Sequence, residues 1–155
     1  MQDQAMAMQY LKDRYEKRPR DLKAIPLGSG IDYVPLCTHS DIVKRVWFDL
    51  ADALPGNCRD IVSGNPVLRH PRTGLMFVVG LSISTYYVLR IPRHILEDVR
   101  FEERDFVRSF SVRTGKRQTL DLREVFGQHW VFGGFRKSEI EWCRAAYEEA
   151  SQESA

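Results

Sequence analysis

The sequence predicts a single α+β domain in which helices pack on one face of an antiparallel sheet of about five strands. Three observations predict this fold class. Amphipathic helical patterns lie towards both ends of the chain, apolar β-branched and aromatic runs bounded by turn residues fill the middle, and the two patterns do not alternate. The 155 residues show no internal repeat and no low-complexity linker, so residues 1–155 are assigned to one domain.

Residues 1–36 are predicted to form a helix and a connector that wraps the domain. Apolar residues recur at helical spacing between Asp3 and Lys17, and Pro19 ends the helix. A further proline and two glycines follow before Tyr33, a composition that is typical of a connector. A short strand is predicted from Tyr33 to Leu36.

A second helix is predicted to begin near Thr38. The spacing Thr38-x-x-Asp41 approximates a capping box, with Thr38 or Ser40 as the cap, and Pro55-Gly56 ends the helix. A continuous apolar stripe consists of Ile42, Val43, Val46, Trp47, Leu50, Ala51 and Leu54.

Antiparallel strands separated by turns are predicted for the middle of the chain. Residues 63–66 and 70–74 are turn sequences, and the connection around Ser82–Ser84 fits a hairpin between the two most apolar strands. The predicted strands are Cys58–Val62, Val67–Arg69, Leu75–Leu81 and Thr85–Ile91.

The later elements are shorter. Arg93–Val99 predicts a short helix, and Phe106–Val112 predicts a strand. Residues 118–122 either pair back on that strand or belong to a short helix at 121–126, and Trp130–Phe135 is predicted to be extended. A final helix follows Ser138-x-x-Glu141, which reads as a capping box. Packing these helices on the sheet would bury Trp47, Phe77, Tyr87 and Leu89.

Charge and apolar content predict a cytoplasmic protein that does not enter a membrane. The net charge is only +2, which argues against non-specific binding of duplex DNA and makes nucleic acid an unexpected partner. Three cysteines without a C-x-x-C pair predict reduced, mostly buried thiols. The N-terminus lacks a secretory pattern, and the longest apolar stretch, Leu75–Ile83, is about half as long as a spanning helix requires.

No sequence pattern predicts a catalytic residue, a metal site or a cofactor. The four histidines lack metal-ligand spacing, and Gly28-Ser29-Gly30 fits neither a nucleophile elbow nor a phosphate-binding loop. The carboxylates between Glu97 and Asp105 alternate with arginines, which favours a solvated surface. The sequence therefore favours a binding protein over an enzyme.

Two sets of residues are predicted to form a binding surface. The arginines Arg69, Arg72, Arg90 and Arg93 flank the strands and turns, and their planar forks suit a carboxylate, a phosphate or a protein partner. The alternative is a set of ordinary surface salt bridges. The second set lies in the glycine- and aromatic-rich segment 127–135, which either exposes its rings to a partner or buries them beneath the last helix. Its candidate binding residues are His129, Trp130, Phe132 and Phe135.

The order of elements resembles the small α+β domains of the TfoX N-terminal and YjbR type. The resemblance rests on a capped helix leading into strands, on Gly74-Leu75-Met76-Phe77-Val78 and Thr85–Arg90, and on a Trp-containing segment before the final helix. It covers roughly residues 40–150 and departs from the family pattern in the N-terminal extension and in 130–135. The resemblance implies a binding module and transfers no site residues.

These observations lead to a primary hypothesis and two alternatives. The primary hypothesis is a non-enzymatic protein-binding domain, an immunity or antitoxin-like neutraliser whose partner is a toxin or effector. The first alternative is a small enzyme or ligand-binding protein for an anionic substrate, in which the arginines hold the anion and His70 or Cys37 reacts. The second is a nucleic-acid-associated regulator that uses the basic run Lys17-Arg18-Pro19-Arg20.

Overall fold

A computed structural model describes residues 2–17, 23–25, 34–36, 38–81, 86–111 and 115–153. The helices are α1 (Gln2–Lys17), α2 (Ser40–Lys44), α3 (Arg93–Asp98), α4 (Leu122–Val125) and α5 (Ser138–Ser151). The strands are β1 (Lys23–Ile25), β2 (Val34–Leu36), β3 (Arg59–Val62), β4 (Asn65–Arg69), β5 (Met76–Gly80), β6 (Tyr87–Arg90), β7 (Val107–Ser111), β8 (Arg117–Asp121) and β9 (Trp130–Phe132).

The predicted α+β fold class is confirmed by a five-stranded antiparallel sheet with the order β3-β4-β5-β6-β9. β7 and β8 form a separate two-stranded hairpin, and β1 pairs with β2 within the predicted connector, much of which lies outside the described residues. Both alternatives for residues 118–126 are partly realised, because β8 pairs back on β7 and α4 follows it directly.

The second helix is capped by a residue that the sequence pattern did not indicate. His39 Nδ1 accepts a hydrogen bond from the Asp41 amide at 3.1 Å, whereas the Thr38 hydroxyl donates to the Leu81 carbonyl across the fold. α2 continues as a π-helical segment over Arg45–Leu50 and a 3₁₀ turn over Ala51–Ala53. The predicted capping box of α5 is also wrong, because Lys137 precedes this helix with helical dihedrals and no side-chain cap.

A β-bulge shapes the centre of the sheet. Leu68 pairs with Val78 while the next residue, Arg69, pairs with Met76, so Phe77 is an extra residue in β5. A bulge of this kind turns two consecutive side chains towards one face. Phe77 and Val78 consequently both enter the core beneath α2 and α5.

Helices pack on one face of the sheet as predicted, and the opposite face is covered as well. α2, its π-helical continuation and α5 bury one face, which includes Trp47, Phe77, Tyr87 and Leu89 as predicted. On the other face, Ala7 and Leu11 of α1, Leu122 of α4 and the apolar side of the β7–β8 hairpin form a second cluster. Both faces of the sheet are therefore apolar. In the described part of the chain, no helix is long and apolar enough to span a membrane.

Candidate functional site

The four predicted arginines each form hydrogen bonds or ion pairs with a different carbonyl or carboxylate of this chain. Arg69 donates to the Gly74 carbonyl at 3.0 Å and pairs with Asp60, and Arg93 pairs with Glu97 at 3.0 Å on its own helix. Arg72 donates to the Ser151 and Glu153 carbonyls, and the buried Arg90 pairs with Glu149. Arg72 and Arg90 thus hold the C-terminal end of α5 against the sheet, and the structure does not gather the four into one anion site.

Of the two reactive groups of the enzyme alternative, only His70 is among the described residues, and it closes a turn. His70 is buried, and its Nδ1 accepts hydrogen bonds from the Arg72 amide at 3.1 Å and the Thr73 amide at 3.2 Å. Burial, with a smaller effect from Arg72, lowers the pKa of His70. This imidazole therefore acts as a neutral acceptor that closes a turn, while Cys37 lies outside the described residues.

The two described cysteines are buried thiols. Burial raises the pKa of Cys58 to about 11. Burial, with the added effect of the Glu139 charge, also raises the pKa of Cys143. Both groups are therefore protonated near neutral pH, as the expectation of reduced, buried thiols requires. Within the described residues, no group of three or more His, Cys, Asp or Glu side chains is arranged to hold a metal ion.

The aromatic segment is divided between the core and the surface. Trp130 and Phe132 are fully buried in the second cluster, so the expectation that they form a binding surface is wrong. They alternate with Val131, and both faces of β9 are covered, which leaves their rings no route to solvent. His129 is half-buried, with Nδ1 at 3.4 Å from the Ile91 carbonyl. Phe135, by contrast, is 53% exposed.

Phe135 has an unusual backbone conformation. Its φ is +56°, in the left-handed region that glycine adopts freely and that strains a bulky residue such as phenylalanine. The Phe135 amide donates to the Tyr87 hydroxyl at 2.7 Å, and the neighbouring Gly134 amide donates to the Glu139 carboxylate at 2.7 Å. These two buried acceptors hold the strained loop in place.

Gly133 allows the loop to cross the Tyr87 ring. A Cβ atom at Gly133 would overlap the atoms of that ring. The Gly133 amide donates to the Tyr87 carbonyl at 2.7 Å, which extends the β6–β9 pairing by one step. The absence of a side chain is therefore what allows the loop to lie directly on Tyr87.

Beneath the loop lies a buried polar cluster made of Arg45, Tyr87 and Glu139, here called the polar triad. The Tyr87 hydroxyl donates to Glu139, and Arg45 Nε donates to the Tyr87 hydroxyl at 3.2 Å. An Arg45 terminal nitrogen donates to Glu139 at 3.2 Å and to the Arg136 carbonyl at 2.8 Å. All three side chains are buried, so the hydrogen bonds among them are formed away from bulk water.

Electrostatics and burial fix the protonation of Tyr87 and Arg45 within the triad. Burial raises the pKa of Tyr87, and the neighbouring Glu139 carboxylate raises it further, so the phenol stays protonated and acts as a donor. Burial alone would lower the pKa of Arg45, but its hydrogen bonds to Tyr87 and Glu139 outweigh that effect and raise it. A buried carboxylate is tolerated only when it is paired and hydrogen-bonded, and Glu139 meets both conditions.

Further charges surround the triad and balance it. Asp49 lies 3.6 Å from Arg45, and Arg136 pairs with Asp105 and lies 3.7 Å from Glu139. The Arg45 guanidinium lies over the Phe135 ring, 5.6 Å from its centroid, and the Tyr87 ring meets Phe135 edge-on at 5.2 Å. The Arg45 guanidinium and the Tyr87 ring therefore pack against the Phe135 ring and stabilise its position.

This arrangement presents one aromatic side chain to solvent from a backbone held by hydrogen bonds. Arg45 also begins the π-helical segment, a conformation that is rare and frequent at functional sites. The sequence pattern missed the triad because Arg45 lies beside the continuous apolar stripe as one of two adjacent charged residues, and Glu139 lies in a helix start that resembled a capping box. Both residues between the buried Val43 and Val46 are charged, and the sequence does not distinguish the buried Arg45 from the exposed Lys44.

Comparisons with protein-family models, curated proteins and solved structures find no match to this chain. The resemblance to the TfoX N-terminal and YjbR domains stays a prediction.

Proposed function

We propose that the chain is a non-enzymatic, cytoplasmic protein-binding domain that uses Phe135 as the anchor of its interface. The observation that carries this proposal is an exposed aromatic ring on a strained backbone, held by hydrogen bonds to the buried triad. Glycine or asparagine would adopt the same backbone with less strain, so fold stability alone does not account for phenylalanine here. Aromatic anchors that enter a partner's pocket dominate the energy of many interfaces.

Preorganisation of the loop supports the same proposal. Ordering a loop on binding opposes association, and a loop that is already ordered avoids that entropy loss. Gly133, Gly134 and Phe135 each donate their amide to a group of Tyr87 or Glu139 before any partner arrives. The ring therefore occupies its presented position in the free protein.

The experiment is a paired affinity capture from the cells that make this protein, with wild type and Phe135→Asn as baits. Asparagine tolerates the left-handed backbone, so this variant removes the ring and keeps the loop. Met8→Gln is the matched control, because Met8 is 39% exposed on the distant α1. We expect a stoichiometric partner with wild type and Met8→Gln, and its loss with Phe135→Asn. Equal recovery with all three baits, or no stoichiometric partner, would contradict the proposal.

The finer proposal is that the partner is a toxin or effector and that this chain is its immunity or antitoxin-like neutraliser. Such a protein acts by masking a partner's surface and needs no catalytic group of its own. Expression of the neighbouring gene in a test host should then stop growth, and co-expression of wild type, but not of Phe135→Asn, should restore it. A harmless neighbouring gene product, or no rescue by wild type, would count against neutralisation.

A further inference from the structure

The β7–β8 hairpin has one apolar face and one polar face. Phe110 and Leu120 are buried against the sheet, so the residues that alternate with them point outward. The register places Ser109 opposite Thr119 and Ser111 opposite Arg117 on the outer face, and all four are exposed. This outer face, together with the exposed Lys116 of the turn, is called the ribbon face below.

The charge of this region differs from that of the whole chain. Residues 108–120 contain four basic residues and no acidic one, although the chain as a whole has a net charge of only +2. Neither Lys116 nor Arg117 forms an ion pair with any residue that the structure describes, whereas many of the other arginines do. At the base of the hairpin, Asp121 is paired with Arg123 at 3.0 Å, so its charge is compensated.

We propose that the ribbon face binds the phosphate backbone of duplex DNA. Arginine, lysine and small hydroxyl side chains are the groups that contact phosphate oxygens, and a two-stranded ribbon fits the major groove. The Ser109 and Thr119 hydroxyls form a hydrogen bond at 3.1 Å, and the register places Ser111 and Arg117 as the next pair on the same face. This site is independent of Phe135, and the proposal departs from the expectation, drawn from net charge, that nucleic acid is not the partner.

Other occupants fit the ribbon face less well. Single-stranded nucleic acids bind to exposed aromatic rings on which bases stack, and no described residue of the ribbon face is aromatic. Protein interfaces depend on large buried anchors, and serine and threonine are under-represented among them. A polar, basic ribbon without an apolar centre therefore favours a duplex over these partners.

The test is fluorescence anisotropy with a labelled 20-base-pair duplex and the matching single strand. Two phosphate contacts predict a slope of about −1.8 in log K against log salt concentration, which is roughly a 12-fold loss of affinity between 50 and 200 mM salt. Lys116→Gln/Arg117→Gln should abolish most of the binding. Lys44→Gln/Arg100→Gln removes the same charge from exposed positions on α2 and after α3 and should retain it. Unchanged melting temperatures establish that both variants are folded.

Three results would overturn the proposal. The first is no binding of wild type to the duplex at 50 mM salt, with protein up to about 100 µM, the upper end of non-specific affinities. The second is an equal loss in both double variants, which would place the binding outside the ribbon face. The third is tighter binding of the single strand than of the duplex.

Discussion

Replacing Tyr87 with phenylalanine tests the polar triad most sharply. The ring and its packing stay, and only the hydroxyl is lost. That hydroxyl accepts hydrogen bonds from Arg45 and from the Phe135 amide and donates one to Glu139. Glu139 keeps Arg45 and the Gly134 amide, so two donors are left without their acceptor.

The expected loss of stability follows from these contacts. The buried Arg45 donor left unpaired costs about 1–3 kcal/mol and the part-buried Phe135 amide costs less, so the two donors together suggest about 3 kcal/mol. Release of Phe135 from its left-handed backbone offsets about 1 kcal/mol of that loss. The net loss of about 2 kcal/mol corresponds to a decrease in Tm of roughly 4–8 °C for a chain of this length.

The assay is thermal and urea unfolding, followed by circular dichroism, on wild type, Tyr87→Phe and Tyr86→Phe. Tyr86 is half-buried beneath Arg108, and its hydroxyl forms no hydrogen bond with a described residue, so its loss should change stability by less than about 0.5 kcal/mol. Equal effects of the two substitutions would refute the assignment of the Tyr87 hydroxyl as the acceptor that holds the loop.

Two further substitutions test neighbouring parts of the account. Gly133→Ala should destabilise the fold by more than about 2 kcal/mol, because its Cβ overlaps the Tyr87 ring. Gly134→Ala is the control, because its Cβ meets only the flexible Arg136 side chain. Equal Tm values for the two variants would contradict the close approach of Gly133 to Tyr87. His70→Asn should reduce the loss of stability at acid pH. The pKa of His70 is lowered in the fold, so the unfolded chain takes up the proton more readily and stability decreases as pH falls below about 6.5. Parallel pH–stability curves for wild type and His70→Asn would show that another group titrates.

Regular periodicity explains why much of the fold could be predicted. The apolar stripe of α2 and its continuation has a period close to 3.6 and is buried as expected, apart from the half-buried Leu54. The apolar runs of β5 and β6 are central strands. The cover on the second face could not be predicted, because it depends on where α1 and the β7–β8 hairpin pack after long connections. The extra residue Phe77 could not be predicted either, because a bulge results from the pairing of two strands and not from the sequence of either strand alone.

The candidate site was predictable only in part. The segment around Phe135 attracted attention by its composition, but composition does not distinguish the buried Trp130 and Phe132 from the exposed ring. Arg45, Tyr87 and Glu139 are separated by 42 and 52 positions, so their meeting is a tertiary event. Each of them also has an ordinary local interpretation, as a helix residue or a strand aromatic.

The central claim is that Phe135 anchors a partner from a loop held by the polar triad. The most direct measurement is isothermal titration calorimetry of the captured partner with wild type and with Phe135→Asn. Asparagine tolerates the left-handed backbone, so the two proteins share the same loop conformation and differ only in the ring. An anchor of at least 2 kcal/mol predicts a Kd increased about 30-fold or more. A Kd that differs by less than about twofold would show that the ring contributes nothing to binding and would contradict the claim.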